Sequence, residues 1–260
     1  MGIEGSAWQR VAPIEGTNAN SSLYGTVILD KNGMPTYTSS YAEVGNREAY
    51  LSGGLNNTLT WKGLSLNMLW EFRVGGDVYN GTQYYMDQCG TSQFSADIRN
   101  KDLTVTGVYQ TGSHTETVMQ NGKQVEVNVP DYEAMSHTWS PNSTYTYNDV
   151  ETSGLSIIQN YYQSYWCRET MNYLTKVNLL RLRTLSLSYE FPKKWMQKTG
   201  FIKRASVSVA GNNLLLFTNF NGDPEVATAG AGVGGSSSVG FAYCDIPSTS
   251  GMTFGLNLTF

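Results

Sequence analysis

Apolar and polar residues alternate along several short segments of this chain. In the clearest segment, 250–260, small or polar residues separate the apolar Met252, Phe254, Leu256, Leu258 and Phe260. Alternation with a period of two is typical of a β-strand with one apolar and one polar face. A length of about ten residues also suits a tilted strand that crosses a membrane. The pattern therefore predicts a strand with one face suited to hydrocarbon.

A tight hairpin is predicted upstream. The segments 51–61 and 64–74 both alternate, and Lys62-Gly63 between them suits a two-residue turn. The charged residues of the second segment, Glu71 and Arg73, both fall on the polar parity. One face of this hairpin is therefore expected to be apolar and the other polar.

Two more strands are predicted at 175–191 and 205–213. In the first, the apolar positions change from even to odd numbers, and a β-bulge near Thr184 would bring them back to one face. If these strands belong to a membrane-spanning β-barrel, we expect its strands to occupy 49–260, interrupted by long external loops at 75–174 and 214–249. Residues 1–48 are expected to form an external loop or a partial strand.

Composition favours a membrane over water as the surroundings of these strands. Charged residues make up 15% of the chain, against about 25% in soluble domains. The polar face of a soluble β-sandwich usually carries Lys and Glu, whereas 250–260 has no charged residue. Aromatic residues near the predicted short connections suit an interfacial girdle: Trp61, Tyr189, Phe191, Trp195 and Phe260. A soluble carbohydrate-binding β-sandwich remains the alternative.

No constellation of reactive residues indicates an enzyme. The three cysteines lack the spacing of a zinc or redox site, and His114 and His137 lack neighbouring metal ligands. Asp223 and Glu225 flank Pro224, and a turn explains them as well as paired catalytic carboxylates do. The net charge of -4 offers no basic surface for nucleic acid. We predict no catalytic residue, no metal, no cofactor and no nucleic-acid partner.

Five segments together resemble one family, the SusC/RagA-type TonB-dependent transporters. They are 75–80 (GGDVYN), 180–192 (LRLRTLSLSYEFP), 207–214 (VSVAGNNL), 222–225 (GDPE) and 253–260 (TFGLNLTF), in the order and spacing of that family. The combination is more specific than any one of these motifs.

The resemblance implies an all-β fold, an antiparallel transmembrane β-barrel segment that forms the last strands of a barrel of about 22. It implies an outer-membrane importer of oligosaccharides or peptides in a Gram-negative cell, with its C-terminus in the periplasm. The implied partners are a SusD-like surface lipoprotein, the TonB complex through an N-terminal region that this chain lacks, the outer-membrane assembly machinery and outer-membrane lipid.

Two groups of residues are candidates for function under this interpretation. An aromatic cluster in the predicted loop could stack on a substrate or contact the lipoprotein, although a small local core explains it as well: Tyr161, Tyr162, Tyr165 and Trp166. The last strand is similar to the signal read by the assembly machinery, and an ordinary hydrophobic last strand is its alternative: Gly255, Leu258 and Phe260.

The chain departs from the family in its length. The predicted strands number five or six, whereas a barrel needs at least about eight to close. We therefore expect a fragment of an importer, with a non-transporting outer-membrane barrel or adhesin fragment as a further alternative.

Overall fold

The computed structural model of the protein describes residues 2–198, 200–225, 240–244, 246 and 248–260. The strands in these ranges are β1 (Gly2–Gly5), β2 (Ile28–Leu29), β3 (Ala42–Asn46), β4 (Leu51–Trp61), β5 (Leu64–Asn80), β6 (Leu103–Gln120), β7 (Lys123–Trp139), β8 (Thr144–Tyr147), β9 (Val150–Ser153), β10 (Leu174–Glu190), β11 (Arg204–Thr218), β12 (Phe241–Ala242) and β13 (Gly251–Thr259). The α-helices are α1 (Gly81–Cys89), α2 (Gln93–Ile98), α3 (Gly154–Asn160) and α4 (Lys193–Met196), with a π-helix at Tyr161–Trp166 and 3-10 helices at Ser21–Leu23 and Thr170–Tyr173. None of these helices has the length and apolar character needed to cross a membrane.

The chain forms two compact units. The first, here called the sheet unit, comprises Asn46–Thr82 and Leu174–Phe260. The second, called the hairpin unit, comprises Gly2–Gly45 and Gln83–Tyr173. Residues 1–48 and the long connection at 75–174 thus both contribute mainly to the hairpin unit.

The sheet unit is built on one antiparallel sheet. Among the described strands, its order is β4-β5-β10-β11-β13, and the short β12 adds in parallel to the end of β5. The predicted hairpin is confirmed: β4 and β5 pair from Leu51↔Val74 to Trp61↔Leu64. Lys62 and Gly63 between them have φ values of 47° and 88°, as a two-residue hairpin turn that matches the strand twist requires.

Strand β5 runs beyond its predicted end. The external connection was expected to begin at Gly75, but β5 continues to Asn80. Pairing changes from Val74↔Asn178 to Asp77↔Lys176, so Gly75 and Gly76 together oppose one residue of β10. Both glycines have positive φ, 79° and 83°, which most side chains would disfavour. The Gly-Gly pair therefore forms a bulge within the strand, where the sequence analysis placed its end.

The predicted bulge near Thr184 is confirmed. Pairing of β10 with β5 moves from Leu182↔Trp70 to Thr184↔Leu69, which leaves Arg183 as the extra residue. On the other side, β11 also shifts register here and continues to Thr218, five residues past its predicted end at 213. The predicted connection at 214–249 is shorter for that reason, and its residues 226–239 lie outside the described residues.

The sheet has one apolar and one polar face. Directly paired positions form apolar rows across it, such as Leu59, Leu66, Leu187, Val209 and Phe254. The neighbouring row is small and polar throughout: Thr60, Ser65, Ser188, Ser208 and Gly255. The apolar row stays open to the surroundings, with Leu59 61% and Phe254 78% exposed. So large an apolar surface marks a binding or membrane face.

The hairpin unit has a core of its own. Strands β6 and β7 pair over their whole length, from Leu103↔Trp139 to Gln120↔Lys123, around an Asn121-Gly122 turn. Near its base, this hairpin packs with the N-terminal segment and α3 to bury Leu29, Met34, Leu103, Val105, Trp139, Ile157, Ile158 and Tyr161. The segment predicted as an external loop is therefore largely folded structure.

The substitution Gly63→Ala should open the turn between β4 and β5 more than Gly122→Ala opens the turn between β6 and β7. Both glycines have positive φ, so alanine strains each turn by about 1 kcal/mol. At Gly63, a Cβ atom would also lie 2.7 Å from the backbone oxygen of Glu190, whereas at Gly122 it would meet nothing within 4 Å. Hydrogen exchange of the amides beside each turn measures this difference. Equal losses of protection would show that the contact with Glu190 is unimportant.

Candidate functional site

The aromatic candidates lie on a short π-helix in the hairpin unit. It follows α3, which begins where the Ser153 side chain accepts a hydrogen bond from the Ser156 amide at 3.2 Å. π-helices are rare in proteins, and those that do occur are often found at functional sites. The structure brings the four predicted residues together here: Tyr161, Tyr162, Tyr165 and Trp166.

Most ring faces in this cluster are covered by other rings. Tyr161 is 6% exposed and stacks on Tyr165, with ring centroids 6.5 Å apart. Tyr165 also stacks on Tyr37 at 6.0 Å, and Phe94 stacks on Trp166 at 5.6 Å. Burial raises the pKa of the Tyr161 phenol above its ordinary value, as expected inside a core. These contacts favour the local core that the sequence analysis left open for Tyr161, Tyr165 and Trp166.

Tyr162 differs because it also lines a cleft. The cleft has a volume of about 310 Å³ and lies between α1, α2 and α3. Its apolar lining comes from Ile98, Leu155 and Ile158 together with Tyr162, and its polar lining includes Asp87, Arg99, Gln159 and Gln163. A concave, mainly apolar surface with a few polar groups is the usual form of a ligand site.

Several polar groups of the cleft are held in place by neighbours. Asp87 is 8% exposed, and its carboxylate accepts a hydrogen bond from Gln83 Nε2 at 2.7 Å. Arg99 Nη2 donates to the Gly90 carbonyl at 2.9 Å, and Gln163 Nε2 donates to the Gln88 carbonyl at 3.1 Å. Sequence reasoning missed Asp87 and Arg99. The one local signal was Ser92, whose side chain caps α2 by accepting from the Ser95 amide at 3.0 Å.

His114 lies between two carboxylates on the hairpin of β6 and β7. Its Nδ1 is 2.7 Å from Asp131 Oδ1, and its Nε2 is 3.1 Å from Glu116 Oε1. Thr17 Oγ1 donates to the other oxygen of Glu116 at 3.0 Å. Hydrogen bonds to Glu116 and Asp131 raise the pKa of the His114 imidazole, and the bond with His114 lowers the pKa of Glu116. The described residues contain no group of His, Cys, Asp and Glu suited to hold a metal ion.

The residues proposed as an assembly signal lie on β13 and just after it. A Cβ atom at Gly255 would lie 2.5 Å from Ser208 Oγ, so a side chain there would force the Ser208 hydroxyl to move. Leu258 pairs with Ala205 on the apolar face, and the Phe260 ring stacks on Phe201 at 6.1 Å. Recognition by the assembly machinery stays a prediction.

Comparison with known proteins identifies relatives of the chain. TonB-dependent receptor P39 of Formosa agariphila is 22% identical over 93% of this chain and 20% of its own length. TonB-dependent receptor P3 of the same organism is 26% identical over 89% of this chain and 18% of its own length. The chain thus spans about a fifth of the length of the curated relatives it matches. No family model matches the chain.

A solved structure has the same fold over the whole chain. The RagAB peptide importer in its open-open state matches 100% of this chain and 22% of its own, with a TM-score of 0.51 and 17% identity. The chain is therefore related to TonB-dependent receptors, as the resemblance implied. These are outer-membrane transporters and not enzymes, which agrees with the interpretation of the sequence.

Alanine substitutions at Tyr161 and Tyr162 should distinguish a residue that stabilises the core from one that mainly lines the cleft. Tyr161→Ala should destabilise the hairpin unit by about 3–5 kcal/mol, the usual cost of removing a buried aromatic ring. Tyr162→Ala should cost clearly less, because this ring is only half-buried. Hydrogen exchange of amides around Trp139 reports the stability of the unit. Equal stability of the Tyr161→Ala protein and the parent would rule out the core role.

The His114 cluster should make the stability of the β6–β7 hairpin depend on pH. Because the folded pKa of His114 is raised above 6.5, its stabilising effect is fully present below that pH and is lost as pH rises through the raised value. An NMR titration of the imidazole measures the shift directly. Glu116→Gln and Asp131→Asn should each bring the pKa back toward 6.5, and an unchanged pKa in both variants would contradict the assignment.

Proposed function

We propose that this chain supplies wall strands to an outer-membrane β-barrel that imports nutrients. The observation that carries the proposal is the two-faced sheet of β4, β5, β10, β11 and β13, with its exposed apolar rows. In a transmembrane barrel the outward face meets lipid and the inward face meets water, which requires this alternation.

Backbone pairing supports a barrel larger than this sheet. Among the described strands, β4 pairs with β5 and β13 pairs with β11, which leaves one edge of each open. In lipid an unpaired backbone group costs several kcal/mol, so further strands must cover both edges. We propose that these strands complete a barrel of about 22 strands and that this sheet forms its last part.

The aromatic residues at one end of the sheet support an orientation. The ring centroids of Phe191 and Trp195 are 6.3 Å apart, and the Phe201 ring stacks on that of Phe260 with centroids 6.1 Å apart. Beside them, the exposed Trp61 has the Lys62 ammonium 5.0 Å from its ring centroid. Such aromatic and cationic groups favour a membrane interface. We assign this end, with its short turns and the C-terminus, to the periplasmic side.

The hairpin unit then belongs outside the membrane. The chain leaves the sheet after Asn80 and returns at Leu174, at the end of the strands opposite to the Lys62-Gly63 turn. We propose that the unit contacts substrate through the cleft beside Tyr162. Tyr161 and Trp166, whose rings contact that of Tyr162, would hold it in place, and Tyr165 stacks in turn on Tyr161.

The relatives support a proposal for the partner and the substrate. The name RagAB denotes a complex, which supports a SusD-like surface lipoprotein as the partner of this chain. RagAB is a peptide importer, so peptides or oligosaccharides are the proposed substrates. TonB would supply the energy, and the assembly machinery would read the last strand.

Arginine at neighbouring positions of β13 tests the membrane assignment. Phe254→Arg places a charge on the apolar face near mid-strand and should cost about 2–4 kcal/mol if that face meets lipid. Thr253→Arg places the same charge on the polar face and should cost little. Both substitutions are made in the complete receptor that contains this chain, because the sheet alone has open edges. Outer-membrane fractionation and heat-modifiable migration on a gel measure insertion, and uptake of labelled peptides or oligosaccharides measures import.

Loss of insertion and uptake in Phe254→Arg alone is the expected result. A soluble sandwich would tolerate Phe254→Arg, because its exposed side chain would simply meet water. Normal insertion without uptake in the parent protein would favour a non-transporting barrel.

A further inference from the structure

A buried cluster of charges joins the sheet to the connection between β11 and β13. Arg181, in the middle of β10, is 1% exposed. Its Nη1 donates to Ser248 Oγ at 2.6 Å, its Nη2 pairs with Asp223, and its Nε lies 2.6 Å from Glu225 Oε2. A buried arginine is tolerated when its charge is paired, as it is here, although Arg181 Nε and Glu225 Oε2 make an ion pair without a hydrogen bond.

A second arginine extends the cluster along the wall. Arg183 is the extra residue of the β10 bulge, and its Nη2 lies 3.0 Å from Glu225 Oε2. Its Nε pairs with Glu71 on the neighbouring strand β5. Glu225 of the connection thus lies against two guanidinium groups of the wall.

The cluster holds the segment after β11 and the segment before β13 against the same residue of β10, Arg181. Asp223 and Glu225 follow β11, whereas Ser248 precedes β13. Ser248 Oγ also donates to Asp223 Oδ2, so Arg181, Asp223 and Ser248 form a closed triangle of contacts. Although burial opposes ionisation, bonds from Ser248 and Arg181 lower the pKa of Asp223, and the carboxylate stays charged at neutral pH.

Apolar packing beside the cluster places the connection on the polar face of the sheet. Phe220 and Ala242 of the connection bury Val78, Val177 and Leu179 of the wall. Leu179 and Arg181 are two residues apart on β10 and therefore share a face. The Asn219 side chain also makes two hydrogen bonds to β10. It accepts from the Asn178 amide and donates to the Lys176 carbonyl, each at 2.8 Å.

We propose that Arg181, with Arg183, is a latch that holds the two roots of this connection, 219–225 and 248–250, against the polar face. The latch has two states: closed, with the carboxylates paired to the guanidinium groups, and released, with water bound to both kinds of group. Release would uncover Val177, Leu179 and the wall arginines. The inference rests on the proposed function only in treating this face as the lining of the transport path.

A buried cysteine reports the release. Ala242→Cys, in a protein with Cys89, Cys167 and Cys244 replaced by serine, places a thiol at a position that is 7% exposed. Its reaction with a water-soluble maleimide is followed in isolated outer membranes. Arg181→Met should raise the labelling rate roughly tenfold or more, because it leaves Asp223 and Glu225 without their main partner. Arg204→Met, which removes an exposed arginine at the start of β11, should leave the rate unchanged.

A second variant removes the carboxylates that the connection contributes to the latch. Asp223→Asn combined with Glu225→Gln leaves the wall strands intact and should release the roots to a similar extent. It carries the test if Arg181→Met does not assemble. Adding Arg181→Met to it should raise the rate little further, because both variants break the same contacts.

The outcomes separate the latch from the proposed function. Heat-modifiable migration of the complete receptor that contains this chain reports insertion in every experiment, and its absence contradicts the barrel whatever the labelling shows. Proteins that insert normally and label at the parent's rate in both latch variants would overturn the latch alone.

Discussion

The strict alternation of side chains across the paired strands is the constraint on which the sheet unit depends. A shift of one residue in any strand would move its apolar side chains to the polar face. The register prevents this by aligning Leu59, Leu66, Leu187, Val209 and Phe254 in one row. The turn at Lys62-Gly63 sets the register of the first pair, because both residues adopt the positive φ that a two-residue hairpin needs.

The bulges add residues to the strands without disturbing the alternation of apolar and polar side chains. At Arg183, one extra residue restores the apolar face and brings a second arginine beside Glu71 and Glu225. At Gly75 and Gly76, the bulge lengthens β5 so that its end can pair with β12. A polar face with a few paired charges and an apolar face without any is the division expected where one face of a sheet meets lipid and the other meets water.

Local patterns predicted much of the sheet and little of the hairpin unit. The hairpin at Lys62-Gly63 and the bulge near Thr184 depend on neighbouring residues, so the sequence alone indicated both. The strands β6 and β7 were missed although parts of them alternate, such as Val125, Val127 and Val129 in β7, because Asp131 and Glu133 interrupt the same face and Pro130 lies within the strand. The aromatic cluster was found by composition, but ring-on-ring burial could not be read from it. The cleft and the Arg181 latch join residues far apart in the chain, such as Arg181 and Asp223, and only the fold brings them together.

The most direct test of the account is to measure the surroundings of successive side chains on β13. A nitroxide label is placed in turn at positions 252–254 and 256–259 of the complete receptor, reconstituted into lipid. It reports collisions with oxygen, which concentrates in lipid, and with a nickel chelate, which stays in water. The account predicts that oxygen accessibility peaks at the even positions and nickel accessibility at the odd positions. High nickel accessibility at Phe254 and Leu256 would place the apolar face in water and contradict the barrel.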